Sequence, residues 1–264
     1  MTSSNDFPGL PGLPGRRVLV PGGTGGVGEG VVRAYLAAGA DVVVPTRSQE
    51  RAAEFQRVLG EAATGHLHLV VHDYTTFAAA EQLAGEMERR LGGVDDVVVP
   101  VGGFWGGKRL TEIGEADWQS AFTGLATAHA AVMRAFLPRL NTGGAYLLTV
   151  GMSALIPVPG SGLVSMEQAA LLMMQRVLAA ELAEQRRVFA LVLGPVATRS
   201  ASTADPDWVT AGQVGAVAVA ASAASAVNSR EIRLSTQAEV GEALALFQAA
   251  PGAGAPQTAA RSAP

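Results

Sequence analysis

The stretch "PGGTGGVGEG", residues 21–30, is where chemistry is most readily argued. Glycines at 22, 26 and 28 let a backbone turn tightly and approach a pyrophosphate. The helix expected next offers unpaired N–H groups and a positive dipole end to it. Thr24 and Val27 lie in the same binding stretch, and Gly23 and Gly25 loosen it further. Glycine also serves turns for steric reasons alone, but the context favours a dinucleotide: a strand before, a helix after, and a second strand about twenty residues on. That strand ends "VVVPTRSQER". Where an NAD site holds an acidic residue for the ribose 2′-hydroxyl, this chain has Thr46, then Arg47 and Ser48. A guanidinium there suits a 2′-phosphate, so NADP(H) is expected ahead of NAD(H). The competing explanation is that Arg47, with Arg51, opens a solvated helix. In "GGFWGGKRL", Phe104 and Trp105 are expected to wall a substrate pocket, or else to shield the loop. Lys108 and Arg109 beside them could meet an anionic substrate, although solvated loop charges are commoner.

Composition narrows the partners. Charged residues make up 16 % of 264, the net charge is −4, and Lys and Arg are scattered, so no footprint for nucleic acid exists and a small-molecule substrate is expected. The absence of cysteine removes disulfides, thiolate nucleophiles and Cys-based metal sites, and suits the cytoplasm. His66, His68 and His72 flank or lie within one apolar run and read as strand residues, with no carboxylate at metal spacing. No stretch reaches the roughly eighteen strongly apolar residues that a membrane span needs. One domain is expected over 16–248, behind an irregular arm at 1–15 and before a flexible tail at 249–264, small, polar and Pro-rich.

The elements that must position these residues alternate. Runs nearly continuous in Val and Leu occur at 17–22, 41–46, 67–73, 95–103, 145–151 and 188–195, as strands covered on both faces require. Helical patterns fill 27–39, 48–60, 76–91, 115–139 and 164–185. A further helix at 211–222 opens on a capping box in "TAGQ", and a last strand is expected at 230–234. The expectation is a doubly wound α/β fold, a parallel sheet of about seven strands binding ligands at its carboxyl edge.

The spacing of Gly22, Gly26 and Gly28, three residues and then one between them, resembles the short-chain dehydrogenase/reductase family, and the likeness covers about residues 16–235. It implies a Rossmann fold with Asp73 and Tyr74 at the adenine and Gly102 retained from the family's Asn-Asn-Ala-Gly, whose asparagines are here Val99 and Pro100. It also implies a cofactor loop "LGPVAT" contributing Val196 and Thr198. Helices 115–139 and 164–185 resemble the pair through which such proteins form homodimers or homotetramers. The catalytic positions depart from the family. Its tyrosine falls on Val164, its lysine on Gln168, its serine on Gly151 and its asparagine on Leu125. A positioned acid contributes about 10²- to 10⁴-fold, so its loss adds about 3 to 5.5 kcal/mol to a barrier. Gln168 can still reach ribose hydroxyls but cannot depress a neighbour's pKa.

Two residues are candidates to supply catalysis instead. Ser153 lies two positions past Gly151, and His129 lies one helical turn from Leu125. The bland readings are a turn serine and a packed histidine. Ser165 is expected to cap its helix, and Glu167 to face water or a partner helix. The resemblance implies an NADP(H)-dependent oxidoreductase with nonstandard catalytic residues. A non-redox cyclase or dehydratase, and a cofactor-sensing scaffold without catalysis, stay open.

Overall fold

Valine-rich runs bury every side chain only if helices cover both faces of the sheet they form. The computed structural model describes residues 9–249 apart from 104, 202 and 203. Its strands are β1 Arg17–Leu19, β2 Asp41–Thr46, β3 Leu67–Val71, β4 Asp96–Val99, β5 Ala145–Gly151, β6 Arg187–Leu193, the short β7 Val196–Ala197 and β8 Val209–Thr210, and β9 Arg230–Leu234. Its helices are α1 Gly26–Ala37, α2 Gln49–Leu59, α3 Phe77–Leu91, α4 Glu115–Trp118, α5 Gly124–Phe136, α6 Gly162–Leu182, α7 Ala211–Ala223 and α8 Gln237–Gln248. Seven strands form one sheet in the order β3-β2-β1-β4-β5-β6-β9, every pair parallel. The expected doubly wound α/β fold is therefore present. The strand order reverses between β1 and β4, which opens a crevice at their carboxyl ends.

Two apolar layers flank the sheet. One packs α1, α7 and α8 on Val18, Val42, Val98, Leu147 and Leu191; the other packs α3, α5 and α6 on Leu19, Val43, Val97, Leu148 and Val192. Alternate residues of one strand thus serve opposite layers. At the amino end of the sheet, Arg16 grips the buried Asp96 through two nitrogens at 2.8 and 3.0 Å, and Arg187 donates to the Ala221 and Ala224 carbonyls as α7 ends. This charge network lies opposite the crevice and ties strands together.

Several expectations need correction. The helix expected at 115–139 is interrupted by a π segment over Gln119–Thr123, where the Gly124 N–H reaches the Gln119 carbonyl five residues back. Helix α8 was not anticipated, although Val240, Ala243 and Phe247 have helical spacing and Thr236 caps it by accepting from the Glu239 N–H. Its Phe247 meets Phe189 edge-to-face at 5.9 Å. The described end of the arm is irregular, yet Leu13 is buried and its N–H donates to the Ala38 carbonyl. Residues 1–8 and the tail from 250 on lie outside the described residues. His66 and His68 share Asp41 Oδ1 at 3.0 and 3.3 Å across β2 and β3, a hydrogen-bonded edge contact outside any group of metal ligands. No group of three or more metal-ligating side chains occurs among the described residues, and no helix there is long and apolar enough to cross a membrane.

Candidate active site

The glycine loop owes its composition to close approach. Gly22 has φ +82°, and a Cβ on it would stand 2.9 Å from the Pro100 carbonyl oxygen, so the loops after β1 and β4 touch there. A Cβ at Gly28 would collide with the Gly22 carbonyl, and one at Gly26 would stand 2.9 Å from Thr198 Cβ in the loop after β7. Three separate segments therefore converge on a concave backbone that only glycine permits. Gly25 occupies the N-cap of α1 without a side-chain cap, which leaves first-turn N–H groups available to an anion. Thr24 and Val27 lie half-buried in the same loop. These features fit a dinucleotide pyrophosphate.

Of the remaining cofactor candidates, Tyr74 lies near this loop. Burial pushes the Tyr74 hydroxyl up from its ordinary pKa, while the Arg47 guanidinium and the Gly22 N–H pull it back, which places all three within mutual influence. Arg47 is exposed. Ser48 caps α2 by accepting from the Arg51 N–H at 3.3 Å. Burial works against ionisation of Asp73, but the Thr75 N–H and hydroxyl, both on Oδ1 at 2.9 and 2.8 Å, hold its pKa below the usual range. Gly102 is exposed, and a Cβ on it would meet nothing within 4 Å among the described residues. Val196 and Thr198 follow β6, where β7 pairs with β8 and Arg199 reaches Glu29 of α1 at 3.0 Å.

The carboxyl end of β5 and the start of α6 form the second half of the site. Gln168 Oε1 accepts from the Gly151 N–H at 2.6 Å, and Gln168 Nε2 donates to Glu167 Oε2 at 2.6 Å. Ser153 Oγ stands 3.3 Å from where a Gly151 Cβ would lie, and Gln168 Oε1 stands 3.9 Å from it. Val164 and Leu125 are half-buried. Glu167, expected at water or a partner helix, is instead fully buried, and its Oε1 has no partner among the described residues. Burial raises its pKa to about 7 against the pull of the Gln168 bond. Sequence reasoning missed it because helical position places 167 only about 60° from 164, a difference that neighbouring helices resolve. Ser165 does not cap: it donates to the Ser161 carbonyl one turn back, and Ser161 holds the N-cap.

His129 is fully buried, and burial lowers its pKa to about 4 even though its ring bonds the Val101 carbonyl at 2.9 Å. The ring is neutral at physiological pH, with Nε2–H donating to that carbonyl and Nδ1 without a partner among the described residues. No hydrogen bond joins it to Ser153 among the described residues. It props the loop after β4 from behind.

The glycine-rich loop beyond β4 is fastened to its surroundings. Lys108 pairs with Asp117 at 2.6 Å, the Gly114 N–H donates to the same carboxylate at 2.9 Å, and the two hold it below its usual pKa. Gly107 N–H donates to the Gly160 carbonyl, and a Cβ at Gly162 would strike Leu110, so the loop rests on the entry to α6. Phe104 lies outside the described residues. Leu110, Leu155, Ile156 and Val158 expose apolar side chains on these adjoining segments.

Comparison with known proteins agrees with this layout. The family model described as enoyl-(acyl carrier protein) reductase matches residues 22–245. A cis-2,3-dihydrobiphenyl-2,3-diol dehydrogenase of Paraburkholderia xenovorans is 29 % identical over 182 residues, covering 67 % of this chain and 64 % of that protein, less than two thirds of its length. A short chain dehydrogenase from Burkholderia cenocepacia, solved in complex with NADP, superposes with a TM-score of 0.74 at 23 % identity, covering 84 % of this chain and 97 % of that one. A short chain oxidoreductase from Pseudomonas aeruginosa, described as containing an atypical catalytic center, gives 0.73 at 21 % identity, covering 83 % and 95 %. With the glycine cradle at the β1/β4 reversal, a family match running from that cradle into α8 gives one conclusion: the chain belongs to the short-chain dehydrogenase/reductase family of oxidoreductases.

Proposed function

We propose that this chain is an NADP(H)-dependent oxidoreductase acting on a small organic molecule, a carbonyl, imine or enone, without the tyrosine acid usual in its family. The observation that carries the reading is the convergence of Gly22, Gly26 and Gly28 with Pro100, Thr198, Tyr74 and Arg47 at one crevice. The nicotinamide, when bound, supplies or accepts a hydride. The glycine loop and the open first turn of α1 would hold the pyrophosphate, Arg47 and Ser48 a 2′-phosphate, and Asp73 and Tyr74 the adenine. Gln168 would meet the ribose, and Gly102, Val196 and Thr198 the nicotinamide end. Val164 can hold no proton, and Gln168 is neutral at any ordinary pH. A substrate that needs little proton transfer suits such a site: an iminium carbon is neutralised by hydride alone, and an enone yields an enolate that water protonates. Ser153 offers a hydroxyl to a substrate oxygen, and His129 supports the β4 loop.

Titration with NADPH and NADH tests the reading. Micromolar NADPH binding is expected, weakened about ten- to a hundredfold by Arg47→Ala, with NADH little changed, as loss of a charge-assisted phosphate bond implies. Absence of binding to both nucleotides would remove the cofactor reading. NADPH consumption over a panel of carbonyls, imines and enones then identifies the reacting bond.

Assembly as a homodimer or homotetramer belongs to the same proposal. Met166, Met173 and Val177 expose 42 %, 52 % and 45 % of their surface at spacings of seven and four along α6, one apolar stripe. Met173→Glu is expected to shift the protein to the monomer position in size-exclusion chromatography; a wild type already running there would refute assembly.

A further inference from the structure

A glutamine carboxamide is nearly symmetric in shape, so which end faces a pocket depends on its neighbours. At Gln168 two neighbours decide. The Gly151 N–H can only donate, so the atom it meets at 2.6 Å must be Oε1. The nitrogen then faces Glu167 Oε2 at 2.6 Å, where an acceptor waits. Turning the amide over would oppose two N–H donors at Gly151 and two oxygens at Glu167. One N–H of the Gln168 NH₂ group is committed to neither partner.

Glu167 itself is an expensive residue to place there. It is 0 % exposed, and among the described residues its Oε1 has no partner and no cation neutralises it. An apolar side chain of similar volume would fill the space without a desolvation penalty. Ionisable residues on the segments packed against α6 are Lys108 and Arg109 of the loop at its entry, His129 and Arg134 of α5, Tyr146 of β5, Arg187 of β6, Glu231 of β9, which pairs with Arg176 of α6 at 2.6 Å, and Glu184 just past the helix; among the described residues none of them is hydrogen-bonded to Glu167. Burial and the Gln168 bond alone set its protonation.

We propose that Glu167 is a positioning residue, locking the Gln168 carboxamide so that a donor N–H, and not the carbonyl, is what Gln168 offers to a ribose or substrate oxygen beside Ser153. The functional half of this statement rests on the cofactor reading above; the lock itself does not. Chemically, Glu167 and Gln168 together replace a mobile cation by an oriented neutral donor.

The experiment pairs NMR of the unliganded full chain with NADPH titration, using Glu167→Gln, which keeps an acceptor oxygen but cannot ionise, and Glu167→Leu, which removes the acceptor. Gln168→Leu assigns the carboxamide signal. In the wild type the two Gln168 Nε2 protons should be well separated and shift with a midpoint near pH 7, the value to which Glu167 is raised. In E167Q the separation should persist without the pH response, and in E167L it should collapse toward free-amide values. NADPH affinity should stay within about twofold in E167Q and fall about tenfold in E167L, the size of one lost hydrogen bond, while the thermal midpoint of E167L holds or rises. A Gln168 signal indifferent to both substitutions would overturn the lock. So would E167L binding NADPH as the wild type does, which leaves the cofactor reading standing. A Gln168 signal that behaves as stated in a wild type that binds no NADPH would uphold the lock and remove the cofactor reading.

Discussion

Gly30→Ala is expected to destabilise the protein by about 3 kcal/mol, the upper range for overpacking a dense core, despite alanine being the better helix former by about 1 kcal/mol. Gly30 lies inside α1, and a Cβ there would collide with the Ala211 backbone, where α7 begins. Gly215 on α7 is blocked in the same way by the Gly30 carbonyl and, at 2.8 Å, by Ala34 Cβ. The obstacle is backbone on both sides, so no rotamer change relieves it. The two helices must separate, opening the layer built on Val31, Val214 and Val217. Gly241→Ala is the control. Gly241 also lies inside a helix, α8, but its Cβ would meet nothing within 4 Å, so that substitution should stabilise by up to about 1 kcal/mol. Urea denaturation of the pair checks this: opposite signs are expected, and two stabilising results would show that α1 and α7 are not in backbone contact. Because α1 carries the glycine loop, Gly30→Ala should also weaken NADPH binding.

A second large effect concerns pH. Glu167 is raised from 4.5 to about 7 in the folded chain, and His129 is lowered from 6.5 to about 4, both by burial. The signs are opposite. Stability contributed by protonated Glu167 is complete below pH 4.5 and is lost as pH rises to about 7. That contributed by neutral His129 is complete above pH 6.5 and is lost as pH falls to about 4. Each span corresponds to about 3 kcal/mol, at 1.36 kcal/mol per pH decade. Between roughly pH 4.5 and 6.5 the two slopes oppose each other, and these residues together leave the wild type nearly flat. Glu167→Gln should expose the histidine slope, losing about 3 kcal/mol as pH falls from 6.5 to 4, and should exceed the wild type in stability at pH 8. His129→Gln should expose the glutamate slope, losing about 3 kcal/mol as pH rises from 4.5 to 7. Denaturant midpoints across pH 4–8 measure both. Variants that both track the wild type would mean that neither group is desolvated as described.

Parts of the site were open to inspection in the chain itself. Gly22, Gly26 and Gly28 could be placed at a turn because the spacing of strand, loop and helix is local, and Arg47 followed from its position after β2. Helix α8 has a signal too, in Thr236 and the spacing of Val240, Ala243 and Phe247, but the adjoining Pro- and Ala-rich tail masks it. The interruption of the long helix at Gln119–Thr123 had a weaker signal, a lone Gly124 that helices often tolerate. Glu167 had none, since a carboxylate beside a polar residue on a helix reads as solvated until the surrounding helices are in place. The same holds for Gly30 and Gly215, which look like weak helix positions and are a helix crossing.

The sequence by itself determined the parallel doubly wound sheet, because uninterrupted valine runs have no other way to satisfy both apolar faces. It also carried the resemblance that sets Val164, Gln168, Gly151 and Leu125 against the family's catalytic positions, an alignment on which the proposed function rests. Tertiary structure alone decided which way Gln168 points, that Glu167 is buried, and that His129 props a loop instead of meeting Ser153. Those outcomes depend on hydrogen-bond partners and desolvation supplied by segments distant in the chain, and neither quantity is encoded in the local order of residues.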